Sequence, residues 1–248
     1  MFSNKYIFIY STILVVVSAA ILALAAVGLK PFQDKNIKVE KMQNLLGAVS
    51  IESTPKNAEE LYNKYFTQEL AINSKGEIVA DYSSGKLNKG KVRPFDINLK
   101  AEIAKNKGLE DLTKSKAELP IYVCVIEGKK KYVIPIMGNG LWGGIWGNIA
   151  IAEDLNTVVG ANFDHKSETP GLGAEVTTKE FQKQFTENKK TIFEGKDFVS
   201  VEVVKRADKT NSHQVDAISG GTITSNGVSD MIKNCLKFYT PYFNSNKK

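Results

Sequence analysis

The 248-residue chain is poor in the residues that build metal centres and covalent cross-links, with two cysteines and two histidines. Cys124 and Cys235 are too few for a disulfide framework or a cysteine metal cluster. Each falls on an apolar-patterned element, which leaves buried thiols or a single disulfide as the readings. His165 and His213 stand in no His/Cys/Asp spacing that would ligate a metal, so no metal site is expected. Long runs of one charge are absent as well, because the net charge of +6 comes from 33 Lys and Arg against 27 Asp and Glu spread along the chain. Without a basic block or interleaved aromatic residues, nucleic acid is not an expected partner. There is no internal repeat. With 42% hydrophobic residues the chain is globular and long enough for one or two domains with a sizeable core.

One long apolar run is present. Residues 6–29 carry no charge between Lys5 and Lys30, and at about 1.5 Å per residue this stretch spans the roughly 30 Å hydrocarbon layer with some tilt. Ala23-Leu24-Ala25 offers a small-x-small cleavage site, but the apolar run before it exceeds the roughly 7 to 15 residues of a secretion signal, so an uncleaved anchor is expected. Lys30, Lys35 and Lys38 follow the run while Lys5 precedes it, a balance too even to orient it.

Beyond the anchor, residues 31–50 read as a helical connector with Ile37, Val39, Met42, Leu45, Leu46 and Val49 on a rough stripe. A second helix is predicted from Ala58 to about Leu70, then a short strand pair around the Ser74-Lys75-Gly76 turn. Residues 83–118 are polar and lysine-rich and read as loops with a short helix near 97–103. From Pro120 the period changes to two. Strands are predicted at 121–126 and 131–136, joined at Glu127-Gly128-Lys129, and at 145–152 and 157–163. Thr177 with Glu180 reads as a capping box for a helix carrying Phe181 and Phe185, and 198–204 as a further strand. The fold class is therefore α+β, an N-terminal transmembrane helix followed by an antiparallel sheet with packed helices.

The chemistry concentrates in residues 216–225, Asp-Ala-Ile-Ser-Gly-Gly-Thr-Ile-Thr-Ser. They precede a helix whose buried stripe is Val228, Met231, Ile232, Cys235, Leu236 and Tyr239, with Ser225 or Asn226 placed to cap its first turn. Unpaired N–H donors and the helix dipole favour an anion there, and the glycines let a ligand approach the backbone. Phosphate is the natural candidate. Taken singly, Thr222, Thr224 and Ser225 also read as ordinary capping and turn residues.

Three further strings compete for a function. Residues 138–143 match G-x-G-x-x-G but lead into strand alternation instead of a helix, which argues against a dinucleotide fingerprint and for a glycine-rich turn walled by Leu141, Trp142 and Trp146. Residues 217–221 lack the first glycine of a G-x-S-x-G nucleophile elbow, so a hydrolase triad of Ser219 with Asp216 and His165 or His213 is disfavoured. In residues 165–173, Pro170 and Gly171 predict a tight turn and Gly173 a close approach, presenting Glu168, Thr169 and Leu172 on a loop at a sheet edge.

Asp216, Ser219, Gly220 and Thr222 resemble the flavinylation motif of proteins that carry FMN on a threonine through a phosphoester, with Gly221 where that family usually has Ala. The Glu168–Gly173 loop resembles the second signature of the same FMN-binding domain, which lies against the isoalloxazine ring. Together with Gly140-Leu141-Trp142 and Val203-Val204-Lys205, these strings are similar to the NqrC family, the C subunits of the sodium-translocating NADH:quinone reductase (Nqr). The related RnfG family, from the Rnf-type ferredoxin:NAD oxidoreductase complex, shares both flavin motifs. A stand-alone membrane-anchored covalent flavoprotein is a further alternative.

The resemblance implies an electron-transfer subunit with FMN bound covalently through its phosphate to Thr222. Ser219, Gly220, Gly221, Thr224 and Asp216 would surround the attachment, Lys205 would offset the phosphate charge, and Leu141, Trp142, Glu168, Thr169, Leu172 and Gly173 would shape the ring pocket. It implies no catalytic residue and no NADH oxidation by this chain alone. The partners would be other membrane and flavin subunits of the complex, with a flavin transferase during maturation, for which Asp216 would serve. The location would be the bacterial inner membrane, single-pass, with the soluble domain periplasmic. Residues 1–30 would be the anchor, 31–118 the connector and membrane-proximal part, and 119–248 the FMN-binding domain.

Overall fold

The computed structural model describes residues 3–247 and divides into two compact units, Met1–Met42 and Gln43–Lys248. The first unit holds most of helix α1 (Asn4–Ala48), which is long and apolar enough to cross a membrane. Pro31 lies inside this helix, so the apolar run and the connector expected after it form one element. Proline removes one N–H and leaves a carbonyl four residues earlier without its helical partner, a local loss that the flanking turns tolerate.

In the second unit α2 (Ala58–Tyr65) precedes β1 (Phe66–Ile72), β2 (Ile78–Ser83), β3 (Lys86–Lys89) and the short helix α3 (Leu99–Ala104). Then come β4 (Leu119–Ile126), β5 (Lys129–Asn139), β6 (Gly144–Ala152), β7 (Val158–His165) and α4 (Lys179–Lys183). The chain closes with β8 (Phe193–Glu194), β9 (Asp197–Phe198), β10 (Glu202–Val204), β11 (Gln214–Asp216) and α5 (Thr222–Asn246). Strands β1 to β7 form one antiparallel sheet in the order β3-β2-β1-β4-β5-β6-β7. Alternate residues of the central strands, such as Ile134, Ile136, Ile145 and Ile149, are buried in one core with the expected α5 stripe of Val228, Met231, Ile232, Cys235, Leu236 and Tyr239. Each such side chain contributes about 1.5–3 kcal/mol of transfer free energy. The Tyr239 hydroxyl, buried in this core, donates to the Pro120 carbonyl at 3.0 Å. Both cysteines are buried free thiols.

Four local expectations are corrected. The second helix stops at Tyr65, because Phe66–Ile72 pairs with both β2 and β4 and tertiary pairing overrides its helical spacing. Glu69 on that strand is buried, and it is satisfied by the Tyr62 hydroxyl at 2.9 Å, the Arg93 guanidinium and the Phe95 N–H at 3.2 Å. Thr178, not Thr177, caps α4, its hydroxyl accepting from Phe181 N–H at 3.3 Å. The expected strand at 198–204 is broken at Ser200, whose φ of 77° lies in the left-handed region, and β10 instead pairs in parallel with β11. Finally, α5 begins at Thr222 with Gly221 as its N-cap, so Ser225 and Asn226 lie within the helix. Ser225 Oγ accepts from the Ile218 N–H at 3.1 Å, fastening the preceding segment to the first turn.

Candidate functional site at the start of helix α5

Three segments meet at one buried carboxylate. Glu168, 4% exposed, follows β7 and reaches the turn between β5 and β6 and the first turn of α5. One carboxylate oxygen, Oε1, accepts from the Trp142 N–H at 2.8 Å, and the other, Oε2, accepts from the Thr224 hydroxyl at 2.5 Å. Its own N–H donates to His165 Nδ1 at 3.1 Å. Burial pushes the Glu168 carboxyl up, but the Thr224 hydroxyl, the Trp142 and Leu141 N–H groups and the His165 ring together outweigh it and hold it below the ordinary carboxylate value.

The glycines of two motifs are required by this same carboxylate. A Cβ on Gly140 would stand 2.6 Å from Glu168 Oε1, and one on Gly173 would stand 2.5 Å from Oε2 and 2.4 Å from Thr224 Oγ1. The close approach predicted at Gly173 is therefore real, with the partner being Glu168 and Thr224. Thr169, Pro170, Gly171 and Leu172 form the predicted turn, with the Leu172 N–H donating to the Thr169 carbonyl at 3.1 Å and Gly171 at a φ of 74°. The turn after β5 is closed by Gly140 N–H donating to the Gly143 carbonyl at 2.8 Å, and Ser167 Oγ donates to the Trp142 carbonyl at 3.0 Å.

Around this buried centre the surface is unusually apolar. Leu141 (47% exposed), Trp142 (65%), Leu172 (41%) and Ile223 (57%) all present large hydrophobic side chains to solvent. Gly220 touches the rim, since a Cβ there would stand 2.6 Å from Leu172 Cδ2, and its φ of 73° also favours glycine. The methyl that the family's usual Ala would add at 221 would meet Ile218 Cγ2 at 3.0 Å, so Gly221 relieves a tight contact. Thr222 is exposed at the first position of a 25-residue helix, and no described side chain caps that helix start. Thr224 is 2% exposed with its hydroxyl already donated to Glu168. The two threonines are thus chemically unlike, one open and one consumed.

The remaining expected residues lie nearby in sequence but have other engagements. Asp216 accepts from the Ala207 N–H at 2.7 Å and pairs with Lys209, and its main chain is held by Gln184 at 3.0 Å. The Lys209 ammonium and the Ala207 N–H lower its carboxyl below the usual value. This closes the loop after β10 that carries Lys205, which is exposed, as is Ser219. His213 Nδ1 lies 2.8 Å from the Thr191 carbonyl, so neither histidine forms a triad with Ser219. Gly140, His165, Ser167 and Ile223 also belong to the site, although the strings that contain them, 138–143, 165–173 and 216–225, gave them no role in a binding pocket. The need for glycine at 140 depends on a carboxylate 28 positions later, which the 138–143 string does not show. A hollow of about 780 Å³ around Asn44, Trp146, Asn148, Asn162 and Gln182 contains none of these residues, and its asparagines bond to one another and to the Asn44 carbonyl.

Residues 140–237 match the family model of the FMN-binding domain. The C subunit of the Na(+)-translocating NADH-quinone reductase of Haemophilus ducreyi is 30% identical over 222 residues, covering 89% of this chain and 85% of the relative. The corresponding C subunit of Vibrio parahaemolyticus is 32% identical over 222 residues, covering 86% and 82%. Among solved structures, the C subunit from Parabacteroides distasonis superimposes with a TM-score of 0.74 at 33% identity, over 87% of this chain and 96% of that one.

Proposed function

The chain belongs to the NqrC family, the C subunits of the Na(+)-translocating NADH-quinone reductase, and we propose that it carries FMN as a phosphoester on Thr222 and relays electrons within that membrane complex. The observation that carries this reading is the pairing of an exposed threonine at an uncapped helix start with a rim of exposed apolar side chains. Both features fit the two ends of the group. A phosphate on Thr222 would meet the first N–H groups and dipole of α5. A flat ring system would cover Leu141, Trp142 and Leu172, which water otherwise wets at a cost of about 25 cal/mol per Å². Lys205, exposed at the end of β10, is available to offset phosphate charge.

When bound, FMN supplies the electron-accepting chemistry, and the protein's part is to bind, orient and tune it. Thr222 would fix the attachment, so the group could not exchange with solvent, which suits a relay position. The walls exclude water from the ring face, and Glu168 holds the three wall segments in register. Asp216, with Lys209 and Ala207, shapes the loop beside the attachment helix, where a flavin transferase would work. Helix α1 would anchor the chain in a bacterial inner membrane with the FMN domain on the periplasmic side. The other membrane and flavin subunits of the complex would be its redox partners, and sodium export and NADH oxidation belong to the whole assembly. The test is in-gel flavin fluorescence after denaturation of protein made with a flavin transferase. Thr222→Ala is expected to abolish the fluorescent band and Thr224→Ala to retain it, and the opposite pattern would overturn the assignment.

A further inference from the structure

Hydrogen bonding alone does not call for a carboxylate at position 168. A glutamine there could accept from the Trp142 N–H through its amide oxygen and donate through its NH2 to the Thr224 oxygen, because a hydroxyl can turn to accept. Burying an ionised group costs more than burying an amide. The fold nonetheless keeps a carboxylate here and seats it against the first turn of α5, where the helix dipole stabilises an anion. The charge lies directly beneath the segment that carries Leu141 and Trp142 and beside the helix start that carries Thr222.

We propose that Glu168 is a positioning residue whose fixed negative charge, beyond its hydrogen bonds, lowers the reduction potential of the group held in the cradle. This rests on the reading that FMN is attached at Thr222. Gaining electrons adds negative charge, which a neighbouring fixed anion opposes. For a unit charge about 12 Å from the charge gained, in partly buried protein with an effective dielectric of about 20, the effect is on the order of tenfold in the equilibrium between oxidised and reduced forms. For a two-electron couple tenfold corresponds to about 30 mV.

The experiment is an anaerobic spectroelectrochemical titration of the full flavinylated chain in detergent, comparing wild type with Glu168→Gln and Thr224→Val. Glu168→Gln keeps the shape and removes the charge, so its potential is expected to rise by about 30 mV. Thr224→Val keeps the charge but removes a donor that partly neutralises it, so its potential is expected to fall. Opposite signs separate charge from shape, because a cradle that is merely loosened gives shifts of one sign in both variants. Thermal unfolding of each protein checks that the fold is retained, and if Glu168→Gln does not fold, the sign in Thr224→Val decides. Coincident potentials, or shifts of the same sign, would overturn the inference while leaving the attachment at Thr222 intact. Wild-type protein without flavin on Thr222 would overturn the reading on which the inference rests.

Discussion

Replacing Gly173 by alanine isolates the buried centre from everything else in the loop. The new Cβ would stand 2.4 Å from Thr224 Oγ1, 2.5 Å from Glu168 Oε2 and 3.2 Å from Glu168 Cβ. Neither neighbour can retreat freely, since Thr224 belongs to the first turn of α5 and Glu168 is held by the Trp142 N–H. The hydrogen bond between the Thr224 hydroxyl and the carboxylate must therefore open. Losing a bond to a charged group costs about 1.5–3 kcal/mol, and overpacking adds about 1–3 kcal/mol. With partial relief by small shifts, about 3 kcal/mol is expected, or about 6–12 °C in Tm for a unit of this size. Gly171, two residues earlier, is the control. Its φ is +74° and nothing lies within 4 Å of where a Cβ would stand, so alanine there brings backbone strain of about 1–2 kcal/mol and no clash. Thermal unfolding followed by circular dichroism on flavin-free full-length chain compares the two. A Gly173→Ala shift no larger than that of Gly171→Ala would refute the packing argument.

Three other outcomes follow from the same geometry. Glu168 has a folded pKa below its unfolded value, so its contribution to stability is present above the unfolded carboxylate pKa of about 4.3 and is lost as pH falls through the folded value; chemical denaturation at a series of acidic pH values is expected to show a shallower acid loss in Glu168→Gln, and identical slopes would contradict this. The flavinylated second unit, mixed with NADH without oxygen, is expected to bleach slowly or not at all while dithionite bleaches it promptly, since the dinucleotide-like string 138–143 leads into β6 and not into a helix start; rapid stoichiometric reduction would refute the relay role. N-terminal sequencing of membrane-purified protein is expected to find the apolar run of α1 still present, and a mature chain beginning near Ala26 would remove the anchor.

The sheet and the α5 stripe were legible because their periodicities are long and undisturbed, as in the alternation of β4 to β7 and the Val228 to Tyr239 spacing. The short elements were not. Phe66 and Leu70 sit at helical spacing, but their segment is claimed by two neighbouring strands, a contact with no local signature. Ser200 takes a left-handed conformation that serine's presence in a strand-like run does not announce. At the site, the sequence marked all three segments but not what joins them. Glu168 reads locally as an exposed turn residue, and only the tertiary fold reveals that Gly140, Gly173, Trp142 and Thr224 converge on its carboxylate. The difference between Thr222 and Thr224 is likewise a matter of helix phase, which depends on the helix starting at residue 222.

The central claim is attachment of FMN to Thr222, and peptide mapping by mass spectrometry addresses it most directly. Protein made together with a flavin transferase is denatured, digested and fragmented. The account predicts that the peptide containing residues 219–227 carries the mass of FMN less water, with the fragment ions placing it on Thr222. The same mass on Thr224 or Ser219, or an unmodified peptide with all flavin released on denaturation, would contradict it.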